Sequence, residues 1–339
     1  MFSSLVPSIQ NYQLNMVIIS MRVIEWTFHK KPLRPIRTNS LQPNGDSQSL
    51  ESSYSGGRPS LQSALWDALD LISNFRGINW NWSQRSCIPK ETRSTTSTAA
   101  FIASTILSAV VHFAIFDASV HAVRSFSPST FGSPIGGSIF DDTLPPFARY
   151  TRSSIITLLS GIMFYAVIQF IYDLNTVNII LLFRQSPSQW PPLFDAPWRA
   201  TSVSWFWGKG WHQLFRSSFI HVGAKPLSFF IGRAGVLGSF FLSAVLHDWG
   251  MWAMGRGSQF GSVGGFFMMM GVGCILEELF KKVSGRNVQG WWGWLWTMTW
   301  VVGWGNWLVD AWARTSLLGS TIMPDMTGKL LTAIESFRA

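Results

Sequence analysis

The sequence is poor in charge. Asp, Glu, Lys and Arg make up 13% of its 339 residues, about half of what soluble domains carry. So little charge cannot clothe a water-facing surface of this size, which excludes a set of soluble domains and leaves lipid as much of the solvent. Cysteine is scarce as well. Cys87 falls in a polar stretch and Cys274 in an apolar run, so there is no disulfide framework. The phosphate-loop, dinucleotide, nucleophile-elbow and zinc-protease motifs are all missing, and no internal repeat stands out. Leu14 to Ile24 is apolar, but Trp26 and a basic cluster follow it instead of a small-residue cleavage site, so it does not read as a signal peptide.

What is abundant is apolar and aromatic: AVILMFWYC reach 47%, with 19 Trp and 26 Phe. The net charge of +9 does not point to nucleic acid, because binders gather Lys and Arg on one soluble face. Here the basic residues sit between apolar runs, as in His29-Lys30-Lys31-Pro32-Leu33-Arg34-Pro35-Ile36-Arg37. Cytoplasmic loops beside anionic lipid have that distribution.

Apolar runs over Ala99–Val120, Ser153–Tyr172 (extended by Val177–Phe183), Ser217–Ile231, Gly235–Met254, Phe260–Phe280 and Trp291–Trp312 predict an all-α, polytopic membrane bundle. About six to eight crossings fit, at ~20 residues each. Runs this long and uniform do not suit barrel strands. The basic loops do not alternate cleanly between sides, so at least one run is expected to be re-entrant or interfacial. Residues 1–37 read as an apolar segment with a basic flank, containing Arg22 and Glu25; it is either the end of a longer helix or an interfacial anchor. Residues 38–63 read as a disordered polar loop, and 64–339 as the membrane-embedded domain. Leu61 to Phe75 is expected to form a short amphipathic helix.

Few residues in this chain could do chemistry. His247 lies in Ser243-Ala244-Val245-Leu246-His247-Asp248, with Ser239, Ser243 and His247 on one helix stripe. An ionisable group inside a span suggests function, although a packing hydrogen bond is the alternative. Desolvation favours the neutral imidazole, the form a general base needs. A second feature is Trp205-Phe206-Trp207-Gly208-Lys209-Gly210-Trp211-His212-Gln213-Leu214-Phe215-Arg216. As one helix it would place Lys209, His212 and Arg216 opposite Trp207, Trp211, Leu214 and Phe215, a membrane-interface arrangement. A third is Arg76-Gly77-Ile78-Asn79-Trp80-Asn81-Trp82, either an aromatic-belt turn or a support beside an active site. His112, Asp117 and His121 match no common metal spacing. Glu277 and Glu278 read as i,i+4 partners of Lys281 and Lys282, and Asp310 as a partner of Arg314. The Trp292, Trp296, Trp300, Trp304 stripe reads as a packing face.

The stretch Pro191-Pro192-Leu193-Phe194-Asp195-Ala196-Pro197-Trp198, continuing through Phe206-Trp207-Gly208 to Trp211-His212-Gln213 and Phe215-Arg216, resembles the signature of wax synthase-like domains in the membrane-bound O-acyltransferase superfamily. The Arg76 motif is similar to one in fungal members, many of which acetylate terpenoid and meroterpenoid natural products. The helix Ser243–His247 resembles the one carrying that family's catalytic histidine. Gly210 stands where many members have a basic residue, and the region before Arg76 has fewer apolar spans than is usual among them.

The resemblance implies acyl transfer from acyl-CoA, here acetyl-CoA, to the hydroxyl of a hydrophobic secondary metabolite. His247 and His212 would be catalytic, and Trp207, Trp211, Gln213, Lys209, Arg216, Asn79 and Asn81 would bind substrate. No metal or bound cofactor is implied. The expected partners are acyl-CoA, a greasy small-molecule alcohol and the bilayer, with no nucleic acid, and the expected location is the endoplasmic reticulum membrane. A long-chain wax or sterol ester synthase, or a transporter using His247 and Asp310, are the alternatives.

Overall fold

The computed structural model describes residues 6–29, 32–36, 60–83, 88–320 and 325–338. Most of the segment expected to be a disordered loop lies outside them. Among the described residues the chain is helical, and extended backbone pairs only at one bridge, Pro35 to Trp80. Apolar runs in lipid must satisfy their own N–H and C=O groups, and a helix does so within the segment.

The helices are α1 (Val6–Thr27), α2 (Leu61–Ser73), α3 (Thr98–Ser125), α4 (Pro146–Phe183), α5 (Arg216–Ala253, broken), α6 (Phe260–Ser284), α7 (Gly290–Arg314) and α8 (Met326–Arg338). α2 is the expected short amphipathic helix, opened by the Ser60 side chain accepting from Ser63 N at 3.2 Å.

Among the described residues, four helices are long and apolar enough to cross a membrane: α3, α4, α5 and α6. That is fewer than the six to eight predicted. Ser153–Tyr172 and Val177–Phe183 join without a break in the 38 residues of α4, about 57 Å of helix. α7 has 25 residues, but glycine and tryptophan replace much of the aliphatic content that a span requires.

α5 is a hairpin. Gly232, at φ 58° and ψ −132°, ends its outgoing arm. The return arm, Val236–Ala253, packs back against the first. A Cβ on Gly223 would lie 2.4 Å from the Gly238 carbonyl oxygen, and one on Gly238 would lie 2.3 Å from that of Gly223. Ser239 Oγ donates to Phe219 O at 2.9 Å. In one straight helix residues 223 and 238 would stand about 22 Å apart. Each arm falls short of the ~20 residues of a full span, so α5 reaches spanning length only when its two arms are taken together.

Apolar side chains facing outward, such as Leu107, Val110, Leu158 and Leu182, suit lipid. Two clusters hold the bundle inside. One joins α3, α4 and α7 through Phe116, Val120, Ile156, Met163 and Val309. The other joins the return arm of α5 to α6 and α7 through Phe240, Ala244, Val263, Phe267 and Leu308. A smaller one seats α1 on α5, with Ile18 and Met21 against Leu246. Because lipid is as apolar as leucine, close packing and interhelical hydrogen bonds carry such contacts. Asp310 accepts from Ser138 Oγ at 2.7 Å, Ile139 N at 2.9 Å and Arg314 Nε at 2.6 Å, which includes the expected Arg314 pair. Asp248 accepts from Ser258 Oγ at 2.6 Å and Gln259 N at 2.8 Å, tying the return arm to the start of α6.

Candidate active site

The segment between α4 and α5 is held by polar groups from elsewhere in the chain. Arg93 Nη2 donates to Trp190 O at 2.7 Å, Arg76 Nη2 to Pro191 O at 2.7 Å and Arg76 Nη1 to Pro192 O at 2.7 Å. Three successive carbonyls are thus fixed by two guanidinium forks. Arg76 also donates to Tyr172 Oη at 2.5 Å. Burial lowers the affinity of Arg76 for its proton, partly offset by the Tyr172 contact. Further on, Glu277 of α6 accepts from Val203 N at 2.5 Å, Ser204 N at 3.0 Å and Trp296 Nε1 at 3.0 Å. The expected pairing with Lys281 gives way to this inward role, because the free N–H groups of a short helix start need an acceptor. Glu278 pairs with Arg233 instead.

Residues 205–216 do not form one amphipathic helix. A π-helical turn runs over Phe206–Gly210 and is closed by Trp211 N donating to Phe206 O at 2.7 Å. The chain is then extended at Trp211, and helix resumes at Arg216. Gln213 Nε2 donates to the carbonyls of Trp207 at 3.1 Å and Trp211 at 2.6 Å, so this buried amide locks the turn. Gly210 has no room for a side chain, since a Cβ there would lie 2.7 Å from the Trp205 ring. Lys209 is exposed and Arg216 half-buried.

The turn brings His212 into an aromatic wall. Its ring centroid lies 5.9 Å from Phe194 and 5.8 Å from Trp211. Trp211 stacks on Phe206 at 5.7 Å, and Trp207 contacts Phe240 at 6.0 Å and Phe267 at 6.3 Å. Phe267 lies 4.6 Å from the ring of His247. The two histidines therefore belong to one aromatic network built from three elements. Burial, with a smaller contribution from the neighbouring His247, pushes the His212 pKa down to about 3. His212 Nδ1, Trp207 Nε1 and Gln213 Oε1 are buried without a hydrogen-bond partner.

His247 Nδ1 lies 2.7 Å from Ser243 O. A carbonyl can only accept, so Nδ1 carries the proton, and in the neutral ring Nε2 holds the lone pair.

Asn79 and Asn81 lie elsewhere. Asn79 has a left-handed backbone (φ 62°), and its carbonyl accepts from Ile36 N at 2.6 Å. Asn81 Nδ2 donates to Pro32 O at 2.8 Å, and its Oδ1 accepts from Arg34 N at 3.1 Å. The side chain of Asn81 and the backbone of both residues pin the basic segment 32–36. His112, Asp117 and His121 do not converge: His112 faces Asp173, Asp117 accepts from Met326 N and Thr327 N, and His121 faces Asp325. Sequence reasoning named Phe194 only as part of the signature and missed Phe267 beside the histidines, for which an aromatic-rich sequence gives no local signal. It also missed Arg93 as a loop clamp.

Residues 190–269 match the membrane bound O-acyl transferase family, a stretch that contains both His212 and His247. An acetyltransferase of Rhodocybe pseudopiperita is 26% identical over 286 residues, covering 78% of this chain and 68% of that protein. An acetyltransferase of Hericium erinaceus is 21% identical over 262 residues, 72% of this chain and 66% of that protein. An O-mevalon transferase of Penicillium terrestre is 26% identical over 309 residues, 80% of this chain and 67% of that protein. The chain thus spans about two thirds of the length of these relatives. No solved structure matches it significantly. The acyltransferase resemblance read from the signature is borne out by these relatives.

Proposed function

We propose, from the premise that this chain is a membrane-bound O-acyltransferase, that it moves an acetyl group from acetyl-CoA to a hydroxyl of a terpenoid or meroterpenoid, with His247 as general base. The observation that carries this reading is the Ser243 carbonyl on His247 Nδ1, which leaves Nε2 to accept a proton. His247 Nε2 takes the acceptor's hydroxyl proton as the oxygen attacks the thioester carbonyl. The C–S bond of the resulting tetrahedral species then breaks. The departing thiolate takes that proton back as CoA thiol, and the imidazole returns to its starting form. The developing oxyanion needs preorganised donors. Trp207 Nε1, a buried N–H without a partner, supports such a role, and His212 Nδ1 supports a second when it carries the proton. Lys209 and Arg216, which make no ion pair among the described residues, suit the phosphates of CoA. Gln213 and Trp211 shape the turn that presents His212. The endoplasmic reticulum membrane is the proposed location.

Microsomes carrying the chain, labelled acetyl-CoA and a panel of terpenoid alcohols provide the test. His247→Ala should lower transfer by about 10²–10⁴-fold, the range for a lost general base; undiminished transfer would overturn the assignment. Because a relative is an O-mevalon transferase, the donor panel extends beyond acetyl.

A further inference from the structure

Away from the histidines, a second buried polar cluster surrounds Arg22 of α1, which is 3% exposed. Its Nη2 donates to Leu71 O at 3.0 Å and Asn74 O at 3.1 Å, at the end of α2. Its Nε and Nη1 are buried and have no hydrogen-bond partner. The guanidinium carbon lies 5.1 Å from the ring centroid of Trp26 and 4.6 Å from that of Trp82. The indole N–H groups of both tryptophans are buried and unpartnered as well. Four orphan donors therefore gather around one side chain, and among the described residues no orphan acceptor accompanies them. Buried polar groups in native proteins are almost always paired, because an unmade bond leaves the group's desolvation uncompensated. Four together call for something that accepts.

The charge balance narrows what that is. Glu25 Oε2 lies 3.8 Å from Arg22 Nη1, and the same carboxylate accepts from Ser217 and Ser218. His221 Nδ1 lies 3.5 Å from it. An anion entering here would meet Glu25 at close range, whereas a neutral acceptor gains the donors without that repulsion. The Trp26 and Trp82 rings beside the guanidinium offer flat, apolar faces. Gly77, at φ +63°, lets the Trp82 ring lie against its backbone, where a Cβ would come within 2.4 Å of the ring, so Trp82 is held in place. The neighbouring turn of α1 packs Ile18 and Met21 onto Leu246, the residue before His247.

We propose that Arg22, Trp26 and Trp82 form a binding subsite for the carbonyl oxygen of a neutral, slender, largely apolar group. Given the acyltransferase reading, two sources offer that chemistry: the amide-bearing pantetheine arm of the acyl donor, and a carbonyl on the hydrophobic acceptor.

The test uses the full chain in nanodiscs. Arg22→Gln would also release the end of α2, so the informative variant is Trp26→Phe with Trp82→Phe, which keeps an aromatic ring at each position and deletes both N–H groups. Binding of S-acetylpantetheine and of acetyl-CoA is measured directly, alongside KM for donor and for alcohol. The expected result is an approximately tenfold or greater weakening for S-acetylpantetheine and acetyl-CoA, about what two lost neutral hydrogen bonds remove, with kcat and thermal midpoint unchanged. A rise confined to the KM of the alcohol would assign the carbonyl to the acceptor and keep the subsite. If all constants stay unmoved, or kcat and thermal midpoint fall together, the cluster holds water or serves packing, and the proposal is overturned. Weakened S-acetylpantetheine binding in a protein that transfers no acetyl would sustain the subsite and sink the enzymatic reading; normal turnover with unmoved constants would do the reverse.

Discussion

His212 and His247 share an aromatic wall but are held differently. The Ser243 carbonyl fixes the tautomer of His247, while His212 Nδ1 has no partner. Burial holds the His212 pKa near 3, against about 6.5 in the unfolded chain. Between those values the unfolded chain binds a proton that the folded one refuses, so stability rises with pH across the window. The contribution is fully present above about 6.5 and is lost as the pH falls toward 3, at roughly 1.4 kcal/mol per pH unit for one proton. In detergent, the thermal midpoint of wild type should therefore fall between pH 6.5 and pH 4.5. His212→Gln, which cannot take up the proton, should show a shallower fall. Parallel pH curves for the two proteins would remove the burial argument.

Among the elements, α5 depends on the contact between Gly223 and Gly238. A side chain at 238 meets the backbone of the opposite arm, which cannot swing aside as a flexible side chain would. Gly238→Leu should cost about 1–3 kcal/mol, the range for overpacking. It should also abolish most transfer, because the arm that moves carries His247. Gly161, within α4, has nothing within 4 Å of its would-be Cβ, and Gly161→Ala should raise the thermal midpoint, since alanine is favoured over glycine in a helix by about 1 kcal/mol. Differential scanning fluorimetry of the two variants, beside acetyl transfer, separates a packing constraint from general sensitivity to glycine replacement.

Across the whole molecule, regions distant in sequence meet at the carbonyls of Trp190, Pro191 and Pro192. Arg76 reaches them from the loop after α2, Arg93 from the stretch before α3, and Tyr172 from α4. Proline has no N–H, so Pro191 and Pro192 present only acceptors to these forks. A lysine ammonium cannot span two carbonyls and a phenol as a planar guanidinium does. Arg76→Lys should lower kcat/KM for acetyl transfer about tenfold or more by loosening the turn that carries His212, and should destabilise by roughly 1.5–3 kcal/mol, the scale of a lost charged hydrogen bond. Unchanged kinetics with lowered stability would confine Arg76 to folding.

Local composition by itself determined that the chain lives in lipid, that its runs are helical, and that His247 sits in an apolar helix, because hydropathy and periodicity are properties of neighbouring residues. It also made Asp310–Arg314 legible, since one helical turn separates them. Only the tertiary structure decided that residues 216–253 reverse on themselves, since the contact between Gly223 and Gly238 exists only once the chain has folded back. It decided that Glu277 turns inward to the N–H groups at Val203 and Ser204 instead of outward to Lys281. It decided that Gln213 closes a π-turn where an amphipathic helix was expected. In each case a buried donor or acceptor, or a missing Cβ, found its partner across the bundle, and the demand to satisfy polar groups away from water fixed an arrangement that no local spacing encodes.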